Sequence, residues 1–177
     1  MGQFGVKRGV LRDMLSFCHW LQSTGWATWV RESDNFFPAL YVVHIFGFIL
    51  LVASTSILDL RMLGWWMRDR SVSNLAALTL PWAKAGFASN FITGVILFGA
   101  HATDMYTNTA FRVKILMVIG ACLNVLLFEI TTYRSVEEWG QRGATPSSAK
   151  VTAAISLFLW FGIVAMSRVI GFTGAQQ

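Results

Sequence analysis

The stretch that most constrains this chain runs from Phe36 to Leu60 and carries no charged residue between Asp34 and Asp59. About 20 apolar residues, rising ~1.5 Å each, cross a hydrocarbon layer of ~30 Å. One ionisable imidazole, His44, lies well inside the run. Because such a residue is costly in lipid, it faces protein instead. The stretch therefore predicts a membrane-spanning helix whose histidine has a partner or a ligand.

Composition places the whole chain in the membrane class. Of 177 residues, 55% are hydrophobic and 13% are charged, whereas soluble domains carry about 25% charge. The net charge is +5, and the basic residues stand beside apolar segments, where they contact lipid headgroups and set topology. The partners predicted on this ground are the lipid bilayer and other proteins, and nucleic acid is excluded.

The hydropathy pattern predicts an all-α, integral membrane four-helix bundle over residues 36–172. Pro81 suits the first turn of a helix and is taken as the start of the second span. Asp59 and Arg61 are interpreted as a charge cluster at the interfacial end of the first span, and residues 133–149 as a polar loop. The predicted spans are 36–58, 81–103, 111–132 and 150–170.

Residues 1–35 are predicted to be a tail followed by an amphipathic interfacial helix from Gly9 to about Val30, broken at Gly25. His19 within it is expected to be solvated. Four spans place both termini on one side of the membrane. Positive residues favour the opposite connectors, so the termini are predicted to be periplasmic and the protein to lie in a bacterial inner membrane.

Two histidines are the candidate cofactor and metal ligands. His44 is roughly 12 Å from its end of the first span, and His101 is roughly 7 Å from the same side of the second span. The two imidazoles are thus expected within about one helical turn of the same depth. Facing helices that each present a histidine can hold a haem, since axial imidazoles are common haem ligands.

A purely structural role for these polar residues stays open at this point. His44 could hydrogen-bond across the bundle to Asn90, Asn124 or Ser54, as buried polar groups in membrane bundles do. Asn90 and Asn124 are interpreted as interhelical hydrogen-bonding residues. Glu129 is a candidate for an ion pair or a proton relay. No catalytic residues are predicted, since no hydrolytic triad or phosphate-binding loop is present.

Several strings resemble an uncharacterised bacterial family of small four-span inner-membrane proteins. They are Phe37-Pro38 with His44-Ile45-Phe46-Gly47, Leu58-Asp59-Leu60-Arg61-Met62-Leu63-Gly64, Leu80-Pro81-Trp82, Thr93-Gly94 and Phe111-Arg112-Val113-Lys114. More distantly, the His-x-x-Gly of the first span is similar to copper-resistance protein D-type and cytochrome b-type membrane domains. That resemblance implies haem b or copper. Relatives of that kind would carry a histidine shortly after Asn124, and here none follows it.

Three functions follow as hypotheses. The first is a b-type cytochrome-like redox subunit with one haem between spans one and two, held by His44 and His101. The alternative is a non-catalytic anchor or accessory subunit that docks other membrane or periplasmic subunits. A copper or small-solute transport protein is the third. An electron-transfer or accessory subunit is favoured over a stand-alone enzyme.

Overall fold

The computed structural model describes the backbone of residues 2–131 and 145–174, and the side chains of residues 12–128, 130 and 145–172. The described chain is helical, without a strand. Its elements are α1 (Gly2–Gln22), α2 (Gly25–Glu32), α3 (Phe36–Leu63), α4 (Val72–Ala100), α5 (Ala102–Thr107), α6 (Thr109–Thr131) and α7 (Ser147–Gly174). Most of the predicted loop 133–149, and the side chain of Glu129, fall outside the described residues.

Four of these helices are long and apolar enough to cross a membrane, namely α3, α4, α6 and α7. Large hydrophobic side chains cover their outer surfaces, among them Phe46, Phe91, Leu116, Phe158 and Phe161. An apolar exterior of this extent is what a bundle in lipid presents, since lipid does not penalise exposed hydrocarbon as water does. The all-helical fold with four candidate spans is confirmed.

The second long helix begins earlier than the sequence indicated. α4 starts at Val72 and carries Pro81 in its interior, whereas Pro81 was the predicted first residue. Ser71 caps the helix, because its side chain accepts a hydrogen bond from the backbone N–H of Asn74 at 3.2 Å. A proline inside a helix costs one backbone hydrogen bond, and packing of α4 against α3 offsets that loss.

The end of α3 also differs from the prediction. The helix continues to Leu63 and ends at Gly64, whose φ of 74° is the left-handed conformation that glycine adopts readily. Asp59 and Arg61 are therefore not an exposed charge cluster, because both side chains are buried. Arg61 donates from Nε to the carbonyl of Arg70 at 2.6 Å and thereby holds the connector against the helix.

The four long helices pack unevenly. α3 and α4 are in close contact, since a Cβ on Gly86 would lie 2.7 Å from the backbone nitrogen of Leu51. α6 packs on α7, and α7 packs on α3. α4 and α6 make no extensive contact, but Phe98 stacks on Phe111 near one end, with ring centroids 5.7 Å apart. The bundle is therefore open along one side.

The two N-terminal helices pack on the bundle at the α4–α5 junction. The Gln22 side chain accepts a hydrogen bond from the Thr103 backbone N–H at 2.9 Å, and Arg31 donates to the Ala100 carbonyl at 3.1 Å. Trp26 contacts Gly99 at a point where any larger residue would clash. The predicted break before Gly25 is confirmed, and His19 is exposed as expected.

Candidate cofactor cavity

The open side of the bundle leads into a cavity of about 1060 Å³ bounded by α3, α4, α6 and α7. Its walls are mostly apolar and aromatic, with a few polar side chains, which is the usual composition of a small-molecule site. The polar and charged residues on its walls that bear on binding are His44, Asp59, Lys84, Asn90, His101, Lys114, Asn124 and Ser156.

His44 is fixed by a short hydrogen-bond chain. The Thr93 hydroxyl lies 2.6 Å from the Ser89 carbonyl and 2.8 Å from Nδ1 of His44. A hydroxyl has one proton, and the carbonyl can only accept, so Thr93 donates to Ser89. With that proton directed at Ser89, we assign Nδ1–H of His44 as the donor to Thr93, since in the other tautomer both Nδ1 and the hydroxyl oxygen would be acceptors. This tautomer leaves a lone pair on Nε2, the arrangement found in metal-binding histidines whose other nitrogen is hydrogen-bonded.

The surroundings of the ring are closely fitted. A Cβ on Gly94 would lie 3.3 Å from Cε1 of His44, so a glycine leaves room for the imidazole. Asn90 donates from its side chain to the backbone carbonyl of His44 at 2.7 Å. The prediction that Asn90 hydrogen-bonds between helices is thereby confirmed. The ring itself bonds to Thr93, which was not among the predicted partners.

His101 lines the same cavity but at a different depth. It lies between α4 and α5, since α4 ends at Ala100, and its ring centroid is 5.3 Å from that of Phe37. Phe37 and His44 are two turns apart on α3, so the two imidazoles are separated by roughly 10 Å along the bundle. The expected separation was about one turn. It increases because the helix does not continue through His101.

His101 is outside the four candidate spans, and its protonation reflects its neighbours. Burial lowers the pKa of His101, while the nearby Asp104 carboxylate raises it and the Arg31 guanidinium lowers it. The shift favours the neutral imidazole, which can accept a hydrogen bond or bind a metal.

Two lysines give the cavity positive charge. Lys114 is half-buried in α6 and lies towards the same end of the bundle as His44. The two helices run in the same direction, and each residue is in the N-terminal half of its helix. Lys84 is on α4, with its side chain partly in solvent or lipid. Ammonium groups beside an apolar cavity are suited to pairing with the carboxylates of a bound molecule.

A second polar group lies towards the other end of the cavity. Asn124 donates from its side chain to the Thr152 carbonyl at 3.1 Å and links α6 to α7, as predicted. Ser156, one turn further along α7, interacts with the Asp59 carboxyl. Oδ2 of Asp59 and Nε1 of Trp160 are buried without a hydrogen-bond partner.

Sequence reasoning did not single out Thr93, Lys114 and Ser156 as members of a site. Thr93 and Gly94 form a polar and small pair in an apolar helix, and this signal could have identified the wall opposite His44. Within the described residues, no group of three or more His, Cys, Asp or Glu side chains gathers as a metal site would.

Fold and cavity together define a class, a small all-helical protein with four helices able to cross a membrane around a laterally open cavity. The chain belongs to a family of unknown function, DUF6644, which matches residues 35–173. No curated protein matches, and no solved structure matches. These comparisons lend no support to the distant resemblance to copper-resistance protein D-type or cytochrome b-type domains.

Proposed function

We propose that this protein is a b-type cytochrome-like electron-transfer subunit of a bacterial inner membrane, with haem b held in the cavity by His44. The observation that carries the proposal is the His44–Thr93–Ser89 chain, which leaves Nε2 of a cavity-lining imidazole with a free lone pair. The proposal keeps the function predicted from the sequence and changes the position of the cofactor.

The residues present fit a haem in three respects. The cavity volume of about 1060 Å³ is just above the ~300–1,000 Å³ typical of ligand sites and suits a large, flat, apolar molecule. His44 would offer an imidazole nitrogen to the metal, with its other nitrogen hydrogen-bonded to Thr93. Lys114 and Lys84 offer charges to two carboxylates, which is the number that a haem b carries.

The cofactor position that the cavity favours is beside the α3–α4 pair rather than between these helices. Gly47 and Gly86 bring the two backbones together, and a Cβ on Gly47 would lie 2.9 Å from the Ser89 hydroxyl. A macrocycle has no room in that contact, whereas the face towards α6 and α7 is open.

The chain's own residues bind and orient the group. His44 would hold the metal, and Thr93 would set the direction of the ring and raise the basicity of Nε2. His101 lies roughly 10 Å further along the bundle, so it would line the cavity without binding the same metal as His44. A bound haem supplies one-electron redox chemistry, and the apolar walls exclude water from it.

A haemin titration tests the proposal. Purified protein in detergent is titrated with haemin and followed by its Soret absorption, for wild type and the variants H44A, H101A and H19A. We expect one equivalent to bind wild type and the exposed-residue control H19A. H44A should bind at least tenfold more weakly, and H101A should keep the coordination spectrum of wild type. Equal binding by H44A and wild type would overturn the proposal and favour the alternative of a non-catalytic accessory subunit.

A further inference from the structure

The second polar group of the cavity contains a carboxyl group in an unusual environment. Asp59 is on α3 four residues before the helix ends, and only 5% of its surface is exposed. Its Oδ2 is buried and accepts no hydrogen bond. An ionised carboxylate in such a place costs several kcal/mol unless a charge or a hydrogen-bond donor compensates it.

Among the described residues, no positive side chain forms an ion pair with Asp59. Arg61 on the same helix is engaged with the carbonyl of Arg70. Lys84 on α4 lines the same cavity, but its side chain is exposed and forms no ion pair with Asp59 among the described residues. Lys150 on α7 is exposed, more than one turn from Ser156. The single ion pair between described residues joins Asp69 and Arg70.

Within the described residues, the polar side chains of α6 and α7 that line this end of the cavity are neutral. Ser156 interacts with the carboxyl, and Asn124 is held beside Ser156 by its hydrogen bond to Thr152. Both residues are buried. On α6 the side chain of Glu129 lies outside the described ones. The Ser156 hydroxyl can donate to one carboxyl oxygen in either protonation state, but only a protonated carboxyl can in turn donate a hydrogen bond to a hydroxyl or an amide oxygen.

We propose that Asp59, with Ser156 and Asn124, forms a proton-binding site at the end of the cavity away from His44. The Oδ2 atom is sealed from solvent, so no hydrated cation has access to it in this arrangement. A proton binds directly to the oxygen and needs no space for a hydration shell. Because Asp59 lines the cavity wall, the site adds a titratable group beside any molecule that the cavity binds. It does not depend on a haem being present.

Infrared spectroscopy of the membrane-reconstituted protein tests the site directly. A protonated carboxyl has a C=O stretching band distinct from that of a carboxylate. We expect wild type at neutral pH to show this band, D59N to lose it, and D59E to keep it at a shifted position. The control D69N changes a carboxyl that is 81% exposed and should leave the band unchanged. A band that survives D59N would overturn the assignment.

The pH dependence of stability provides a second readout. An unfolded aspartate ionises near pH 4, whereas the proposed site would still hold its proton in the folded protein at neutral pH. Over that interval the folded state holds one more proton than the unfolded state. The equilibrium constant for folding of wild type therefore falls by up to about tenfold per pH unit as pH rises. D59N should lose this dependence and D69N should keep it.

The same measurement distinguishes a proton from a metal ion. Exchanging sodium for choline at constant ionic strength should leave the unfolding midpoint of wild type unchanged if the ligand is a proton. A midpoint that sodium raises in wild type and not in D59N would show that a cation occupies the site, and the proposal would be wrong. Parallel pH profiles of wild type and D59N would also contradict it.

Discussion

At the scale of single residues, the orientation of His44 depends on one hydroxyl. Thr93 is buried and both accepts from His44 and donates to Ser89. A helix-interior threonine bonded to the preceding turn is common. A threonine that also fixes the tautomer of an imidazole on another helix links local helix chemistry to ligand binding.

The substitution Thr93→Val keeps the shape of the side chain and removes the hydroxyl. Nδ1–H of His44 then loses its acceptor, which costs about 1–3 kcal/mol in a buried site. Loss of such a supporting partner lowers metal affinity about 10- to 100-fold, and we expect this fall in haemin titrations. Thr93→Ser keeps the hydroxyl and should bind nearly as wild type. Unchanged binding by both variants would show that the hydrogen bond does not orient the ligand.

The glycine beside the ring offers a second residue-scale prediction. In Gly94→Ala the new Cβ would lie 3.3 Å from Cε1 of His44, so the ring must turn or shift. We expect at least tenfold weaker haemin binding, about 1.4 kcal/mol, without loss of thermal stability. The control Gly171→Ala adds a methyl where no atom lies within 4 Å. Equal binding by the two variants would contradict the fit of His44 to its surroundings.

At the scale of helices, the α3–α4 pair fixes the depth of the cavity wall. Gly86 is opposite Leu51, where a Cβ would approach the backbone nitrogen to 2.7 Å and the Gly47 carbonyl to 2.8 Å. Backbone atoms cannot move aside as a flexible side chain would. The close approach thus determines which residues of α4 face His44.

We expect Gly86→Ala to destabilise the protein by about 1–3 kcal/mol through overpacking, despite the better helix propensity of alanine. Thermal unfolding in detergent measures this. Gly120→Ala is a suitable control, since its Cβ would meet Leu159 at 3.6 Å, an ordinary contact. If both variants unfold at the wild-type temperature, the helices do not pack as closely as described.

Element by element, the apolar runs predicted four helices well and their ends less well. The start of α4 was missed because Ser73, Asn74 and Thr79 lower the hydropathy of its first turns, and Pro81 is typical of a helix start. The burial of Asp59 was missed because a charged residue near the end of an apolar run ordinarily lies at the interface. The length of a helix does not show whether neighbouring helices cover a residue near its end, such as Asp59.

At the scale of the whole molecule, the cavity exists because α4 and α6 separate below the Phe98–Phe111 contact. No periodicity in the sequence specifies this separation. It results from the close α3–α4 packing and from the way α7 packs against both α3 and α6. The histidines could therefore be nominated from the sequence, while the cavity and the lysines around it required three-dimensional packing.

The fold also predicts topology. With four spans, a reporter fused before α1 and one fused after α7 should report the same side of the membrane, and the predicted side is the periplasm. A reporter in the connector between α3 and α4, beside the exposed Trp65, should report the opposite side. Alkaline phosphatase and green fluorescent protein fusions measure this. Termini on opposite sides would contradict a four-span bundle.

The central claim is that His44 holds a haem, and a reduced-minus-oxidised difference spectrum tests it most directly. The protein is purified from bacterial membranes that supply haem, and wild type is compared with H44A at equal folded concentration. We predict a b-type spectrum from wild type and its loss in H44A. A folded wild-type protein without visible absorption, or an identical spectrum from H44A, would contradict the claim.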